Sequence, residues 1–237
     1  AKGADGSDGT DVGTTLTTQG DILYRDASGL ARLGAGTSGQ VLQTGGTGAN
    51  PSWTTMSSDL VKIYSNEITS GSPSSIDINS CFSADYDIYK LFFLLSLESN
   101  NWFEVSFTDN TNITGGTYYS KAMQVTGHQT TDALNQWNQN DTDGFRIANT
   151  WYASSQQHAD TCEMTIFDPF GSNRTQVWWH SNWNQENNGH MGITHGIGRC
   201  STSASQTGIK IKGNAGDIEN NTGNCGASYV AVYGFKK

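Results

Sequence analysis

Cations are scarce in this chain. Its 237 residues include 13 Lys and Arg against 22 Asp and Glu, which gives a net charge of -9. No basic cluster is longer than the Lys-Lys pair at 236–237. A protein that grips nucleic-acid phosphates needs a basic face, so the sequence predicts no nucleic-acid partner. The acidic excess is explained more simply as an aid to solubility.

Long apolar runs and prolines are also missing. No stretch of about 18 apolar residues occurs, so no membrane insertion is expected. The first residues, AKGADGSDG, lack the apolar core of a secretory signal peptide. Proline contributes 3 residues and glycine 28. This composition is typical of many short strands joined by glycine and asparagine turns, because both residues tolerate a positive φ.

Cysteine and histidine lack the spacing of metal ligands. The four cysteines, at 81, 162, 200 and 225, include no CxxC pair, which argues against a thiolate zinc site. We expect reduced, mostly buried thiols, with Cys200 and Cys225 as the pair to test for a bond formed after release from the cell. His190 and His195 are five apart, so in a strand they would point to opposite faces. The sequence therefore predicts no metal and no cofactor.

No arrangement of residues marks a catalytic centre. Among the acids, Asp141, Asp143, Asp160, Glu163 and Asp168 show no spacing typical of paired catalytic carboxylates. There is no GxSxG motif at a strand-to-helix turn and no glycine-rich loop between a strand and a helix. Glycan-degrading sites on β-folds leave no local motif, so a depolymerase stays open as an alternative. The sequence otherwise predicts a protein that is not an enzyme.

The N-terminal fifth of the chain cannot supply a core of its own. Glycine recurs at 3, 6 and 9, so residues 1–13 are interpreted as a flexible tip, with a collagen-like triplet repeat as the alternative. Two weakly similar units follow at an offset of 19 residues, in which the strands DILYR and QVLQT each precede a glycine turn. Strands this short are stable only when they stack on neighbours or on other copies of the chain. The apolar residues expected in such a shared core are Ile22, Leu23, Leu30, Leu33, Val41, Leu42 and Trp53.

From about residue 58 the chain has longer runs typical of strands. YDIYKLFFLLSLES, residues 86–99, is apolar on both faces, which suits the inside of a β-sandwich or a subunit contact. NWFEVSFTD follows, and the two runs are predicted to form a hairpin. Only TTDALNQW suggests a helical turn. Further strands are predicted at 60–68, 75–79, 117–126, 161–168, 175–183, 190–198, 207–212 and 227–236. About ten strands at this spacing predict an all-β, antiparallel, jelly-roll-like sandwich.

Tryptophan and amide side chains concentrate between residues 135 and 190. Aromatic rings stack on the apolar faces of sugars and amides bond to their hydroxyls, but the same composition also builds ordinary sandwich cores. In QVWWHSNW, alternation separates Val177, Trp179 and Trp183 from Trp178, His180 and Asn182. One set should be core, and the other should contact either a neighbouring subunit or a glycan. The candidate glycan contacts are Trp137, Trp151, Tyr152, Trp178, His180 and Asn182.

A family resemblance connects these features. TTLTTQGDILYRDASGLARLGAGTSGQVLQTGGTGANPSW, residues 14–53, resembles a module of virion fibre proteins of tailed bacteriophages, notably those of marine hosts. DYDIYKLFFLLSLES resembles the early core strand of their globular tips. The C-terminal TGIKIKGNAGDIENNTGNCGASYVAVYGFKK is similar to the ending of those tips, where a final strand closes the domain.

The resemblance implies a homotrimeric fibre or spike on the particle. Residues 1–13 would attach to other virion proteins, residues 14–57 would form an intertwined trimeric β-shaft, and residues 58–237 a jelly-roll head. The protein would be made in the bacterial cytoplasm and exposed on the virion surface. We expect the head to contact a host-surface glycan or another envelope component. The resemblance brings no catalytic residues. It leaves head and tail attachment open, and a capsid decoration without a receptor is the alternative.

Overall fold

The protein folds almost entirely into antiparallel β-sheet, which confirms the all-β prediction. The computed structural model describes residues 12–97, 102–110, 116–128, 131–147, 160–185, 190–219 and 228–237. The chain divides into two compact units, Ala1–Ser58 and Asp59–Lys237. Across the described ranges, no helix has the length and hydropathy needed to cross a membrane.

The N-terminal unit contains one helical turn and two small hairpins. The helix α1 (Val12–Thr15) is not predicted by any feature of the sequence. The strands are β1 (Ile22–Arg25), β2 (Leu30–Leu33), β3 (Gln40–Gln43) and β4 (Ser52–Thr55). β1 pairs with β2 and β3 with β4, so each predicted short strand begins a hairpin. Gly20 and Gly39 precede these strands with φ of +91° and +87°, a region that only glycine adopts without strain.

The C-terminal unit supplies the longer strands. They are β5 (Leu60–Ile68), β6 (Ser75–Ile78), β7 (Tyr86–Leu95), β8 (Phe103–Thr108), β9 (Tyr118–His128), β10 (Thr131–Asp141), β11 (Phe145–Arg146), β12 (Asp160–Phe167), β13 (Gln176–Gln185), β14 (His190–Cys200), β15 (Gly208–Gly213) and β16 (Ser228–Lys236). Each of the further predicted strands, from 60–68 through 227–236, matches a strand of the structure and is confirmed. Alternating apolar residues therefore identified most strands of this unit, but not β10 or β11.

Two sheets of this unit share one core. The larger has the order β10-β9-β14-β13-β12-β7-β16-β5, and the smaller has the order β11-β8-β15-β6. Between them, the ring centroids of Phe93 and Phe103 lie 5.4 Å apart. The backbone N–H of Phe107, in the smaller sheet, donates to the Tyr118 hydroxyl of the larger at 2.9 Å. The core thus joins the sheets by both packing and hydrogen bonding. Jelly-roll connectivity and an intertwined shaft stay predictions.

The predicted hairpin between residues 86–99 and the following run is wrong. β7 pairs with β12 and β16, whereas β8 pairs with β11 and β15 in the other sheet. Both strands carry an apolar inner face, so they stack across the core instead of pairing edge to edge. Alternation shows which residues share a face, but it does not show which sheet a strand joins.

The helical turn suggested by TTDALNQW is also wrong. Its residues from Thr131 onward lie in β10, which pairs with β9 without interruption from Thr131 to Asp141. Backbone groups that pair with a neighbouring strand along this length need no helical hydrogen bonds. Sheet pairing therefore overrides the local preference.

The cysteines within the described part of the chain match the expectation of buried thiols. Cys81, Cys162 and Cys200 are buried and free. Burial raises the pKa of Cys81 to about 12, so its thiol stays protonated at neutral pH. Cys225, the proposed partner of Cys200, lies outside the described residues.

Strand β14 carries glycine at three positions that point into the core. Each glycine faces an aromatic ring from a neighbouring element. A Cβ added to Gly192 would lie 2.4 Å from the Trp183 ring, and one added to Gly196 would lie 2.1 Å from the Trp179 ring. A Cβ added to Gly198 would lie 2.6 Å from the Phe145 ring. Close packing leaves no room for a larger side chain, so these glycines are what allows the two indoles to be buried.

We expect Gly196→Ala to lower the free energy of unfolding by about 1–3 kcal/mol, because the added methyl group overpacks the core against Trp179. Urea denaturation followed by near-ultraviolet circular dichroism measures this change. Ile197→Val is the control, because the exposed Ile197 follows on the same strand and points outward. That variant should stay within about 0.5 kcal/mol of the wild type. Equal stability of the two variants would contradict the packing described here.

Candidate functional site

The outer face of the four-stranded sheet is charged, and its charges pair with one another. Lys212 Nζ lies 3.2 Å from Glu104 Oε2 and 3.4 Å from Asp143 Oδ2. Lys210 Nζ lies 2.7 Å from Asp77 Oδ1. Burial lowers the pKa of Lys212, but Glu104 and Asp143 together outweigh it and raise that pKa above its ordinary value. These partners give the charged groups a structural role.

The outer face of the eight-stranded sheet exposes many large apolar side chains. Strand register places its side chains in rows; in one row Ile193, Val125 and Leu134 are direct neighbours on β14, β9 and β10. Contiguous exposed apolar surface in a soluble protein marks an interaction site. We call this surface the outer apolar face. Its large apolar side chains, 37–63% exposed, are Leu60, Ile88, Tyr119, Met123, Val125, Leu134, Trp178, Met191, Ile193, Ile197 and Tyr229.

Trp178 lies near the middle of the outer apolar face. Its neighbours in register are Thr165 on β12 and Ile197 on β14. The ammonium group of Lys90, on β7, lies 4.7 Å from the centroid of the indole ring. Lys90 also forms an ion pair with Glu163. A cation over an aromatic ring is attracted by the ring quadrupole, so Lys90 positions the indole while 39% of Trp178 stays exposed.

Two histidines stack in the next row of this face. The ring centroids of His180 and His195 are 5.1 Å apart with an interplanar angle of 29°. They meet because the register of β13 and β14 pairs these two residues. Two imidazoles do not complete a metal site, and in the described part of the chain no three His, Cys, Asp or Glu side chains are grouped to hold a metal ion.

The structure places three of the predicted glycan contacts side by side. Trp178, His180 and Asn182 alternate along β13 on the outer apolar face, and the Thr161 hydroxyl donates to Asn182 Oδ1. The opposite set on β13, Val177, Trp179 and Trp183, is buried, so the prediction that one set is core is confirmed.

Trp137, another predicted contact, is not part of this cluster. Trp137 packs against the hydrophobic core, with the Arg146 guanidinium 5.5 Å from its ring centroid. In register it is paired with the buried Ala122, so its side chain points to the inner side of the sheet. Trp151 and Tyr152 lie outside the described residues.

A depression of about 480 Å³ lies beside Trp178 on the outer apolar face. We call it the basic cleft, because Lys121 and Arg199 line it and no acidic residue does. Further outward-facing lining residues are Tyr119, Asn138, Asn140, Gln176 and Ile197. Sequence reasoning missed these residues because they come from four strands that only the tertiary fold brings together.

The second exposed surface is in the N-terminal unit, where none of residues 12–58 is buried. Among the seven predicted core residues of this unit, Leu30, Val41 and Leu42 are 39–49% exposed. The others, Ile22, Leu23, Leu33 and Trp53, are partly exposed. Trp53 is held by a hydrogen bond from its Nε1 to the Gly34 carbonyl oxygen at 2.6 Å. The hairpins thus present apolar side chains without burying them.

We expect Trp178→Phe to remove a large part of the tryptophan fluorescence that acrylamide quenches, because this ring is exposed to solvent. Trp183→Phe replaces a ring that is 4% exposed, so it should leave the quenchable part unchanged. Stern–Volmer plots of the two variants and the wild type measure the difference. Equal losses in the two variants would contradict the exposure of Trp178.

Comparison with known proteins gives no relative from which a function could be read. No protein-family model, curated protein or solved structure matches this chain. The function is therefore proposed from the two exposed surfaces and from the fibre-like motif in residues 14–53.

Proposed function

We propose that the protein is a structural virion component, a homotrimeric fibre or spike on a bacteriophage particle. Its N-terminus contacts other virion proteins, residues 14–57 associate with other copies of the chain, and the C-terminal unit projects outward and adheres to a host-surface glycan. It has no enzymatic role. The observation that carries the proposal is that a segment with a fibre-like motif buries none of its residues within a single chain.

The energetics of the N-terminal unit favour association. Ordering one residue of backbone costs about 1–2 kcal/mol, and burying one methylene group returns about 0.8 kcal/mol. Isolated hairpins are marginal at best, and each strand here has four residues. Register pairs Ile22 with Leu33 and Leu42 with Trp53, so apolar side chains are already clustered. Contact with other copies would bury these clusters and offset the cost of ordering.

Three copies are proposed because of the resemblance to phage fibres. A closed rotational symmetry also suits the hairpins, since each is a two-stranded sheet whose outer edges pair with no further strand in the described part of the chain. In a closed ring of copies, each edge can be covered by a neighbouring chain. The same arrangement makes the apolar side chains of one copy part of a shared core.

The outer apolar face supplies a second contact between copies. Its least polar part, which we call the apolar patch, consists of Met123, Val125, Leu134, Met191 and Ile193, all 41–60% exposed. With a net charge of -9 on each chain, copies repel one another at long range. A contact made by apolar side chains adds no further charge repulsion. We propose that another copy of the C-terminal unit covers this patch.

Adhesion is assigned to the other part of the outer apolar face, around Trp178 and the basic cleft. An exposed indole beside amide side chains combines an apolar surface with hydrogen-bonding groups, as sugar-binding sites require. The three sites of one trimer could bind a repetitive surface polymer at the same time. Weak binding by each site then becomes strong binding by the whole.

We expect a native mass near three times 25.5 kDa at micromolar concentration, measured by light scattering after size exclusion. Leu42→Asp should lower the trimer fraction at least tenfold, because it places a charge in the shared core. Gln43→Asp is the matched control, because it adds the same charge to the opposite side of β3 and should keep the trimer. A monomeric wild-type protein would overturn the proposed assembly.

We also expect the full-length trimer to bind members of a glycan array. A trimer that binds no glycan would support the alternative of a decoration protein without a receptor. Shortening of a bound polysaccharide, lost when one carboxylate is replaced, would instead establish a depolymerase.

Images of particles labelled with antibody against the protein would show whether it is mounted on head or tail.

A further inference from the structure

Side chains from four neighbouring strands line the basic cleft in two adjoining rows. Two rows of outward side chains meet there: Gln176, Arg199 and Tyr119 are consecutive neighbours in one row across β13, β14 and β9. In the adjoining row, Trp178, Ile197, Lys121 and Asn138 follow one another across β13, β14, β9 and β10. Four antiparallel strands fix these positions, so the cleft is built on rigid elements.

The apolar part of the cleft is formed by Trp178, Ile197 and Tyr119, all exposed. Trp178 is held on one side by Lys90, 4.7 Å from its ring centroid. Tyr119 is held by the Arg199 guanidinium, 5.2 Å from its ring centroid. Both rings are therefore oriented before any ligand arrives, which lowers the entropic cost of binding. They provide the flat apolar surface on which the CH groups of a sugar ring pack.

The polar part of the cleft has one sign of charge. Lys121 and Arg199 are its ionic residues, although acidic residues outnumber basic ones 22 to 13 in the chain. None of the ion pairs found among the described residues involves either of them. On the other outer face, by contrast, Lys210 and Lys212 are paired with carboxylates. The cleft thus offers two cations to a ligand, beside the amides of Asn138 and Gln176.

We infer that the basic cleft binds a saccharide that carries a carboxylate, such as a uronic-acid unit. The sugar ring packs on Trp178 and Tyr119, the amides bond to its hydroxyls, and Arg199 and Lys121 bind its carboxylate. This inference rests on the proposed adhesive function and specifies its ligand class. The charge of the chain makes the cations necessary, because a protein with net charge -9 otherwise repels an anionic glycan.

The test uses the full-length protein and tetrasaccharides of galacturonate, glucuronate, mannuronate and guluronate, each compared with its methyl ester by titration calorimetry. The ester keeps the sugar and removes only the charge. We expect at least one acid to bind, and we expect the affinity of its ester to be at least about tenfold lower. Raising the salt concentration from about 0.05 to about 0.5 M should lower the affinity for the acid, because salt screens exposed charges. The affinity for the uncharged ester should stay the same.

Arg199→Gln and Lys121→Gln should each weaken binding of the acid about tenfold. Lys62→Gln is the matched control, because Lys62 is exposed at the far edge of the same sheet, on β5, and its loss removes the same charge. Circular dichroism confirms that the variants are folded. Two different variants and the ester comparison keep the test independent of any single substitution.

The outcomes separate the inference from the proposed function. Glycan binding that is equally strong for acid and ester, or unchanged in both cleft variants, overturns the acidic-ligand inference and leaves adhesion standing. A trimer that binds none of the acids but binds neutral glycans on an array also overturns the inference alone. A trimer that binds no glycan of any kind overturns both the inference and the adhesive part of the function.

Discussion

The three glycines on the inner side of β14 are the constraint on which the rest of the C-terminal unit depends. Trp179 and Trp183 are almost completely buried, and their rings occupy the space that a Cβ on Gly196 or Gly192 would need. Three inner positions of β14, Gly192, Gly196 and Gly198, carry only hydrogen, so much of the strand's bulk lies on its outer side, at Met191, Ile193 and Ile197. Burial of the two indoles and exposure of three aliphatic side chains are therefore two consequences of one packing arrangement.

This arrangement makes the two outer faces of the unit different. The outer face of the smaller sheet holds lysines and carboxylates that satisfy one another, as Lys212 does with Glu104. The outer apolar face instead offers aliphatic side chains at one end and a cleft with two cations beside Trp178. Apolar side chains suit contact between copies, and the cleft suits a ligand. The N-terminal unit, with no buried residue in its described part, adds a further surface that one chain leaves incomplete.

Much of the strand structure could be predicted from local pattern, and the pairing could not. Alternation on β13 correctly separated the buried Trp179 from the exposed Trp178, because side chains in a strand point to opposite faces in turn. On β14, the further assumption that the more apolar face is buried would place Ile193 and Ile197 in the core. In the structure these residues are exposed, and the glycines face the core instead. The hairpin expected between β7 and β8 was wrong because both strands bury an inner face, which favours stacking across the core. Trp137 likewise shares the composition of the candidate site but lies against the core.

By itself, the sequence determined the all-β class, most strands of the C-terminal unit and the inability of residues 14–53 to form a core within one chain. These properties follow from local composition and from the two-residue period of a strand, which are visible along the chain. Only the tertiary structure decided which side of β14 is buried, that His180 meets His195, and that Lys121, Arg199 and Trp178 line one cleft. Those relations depend on register between strands distant in sequence, and register is set by how large rings and small residues fit together in the core.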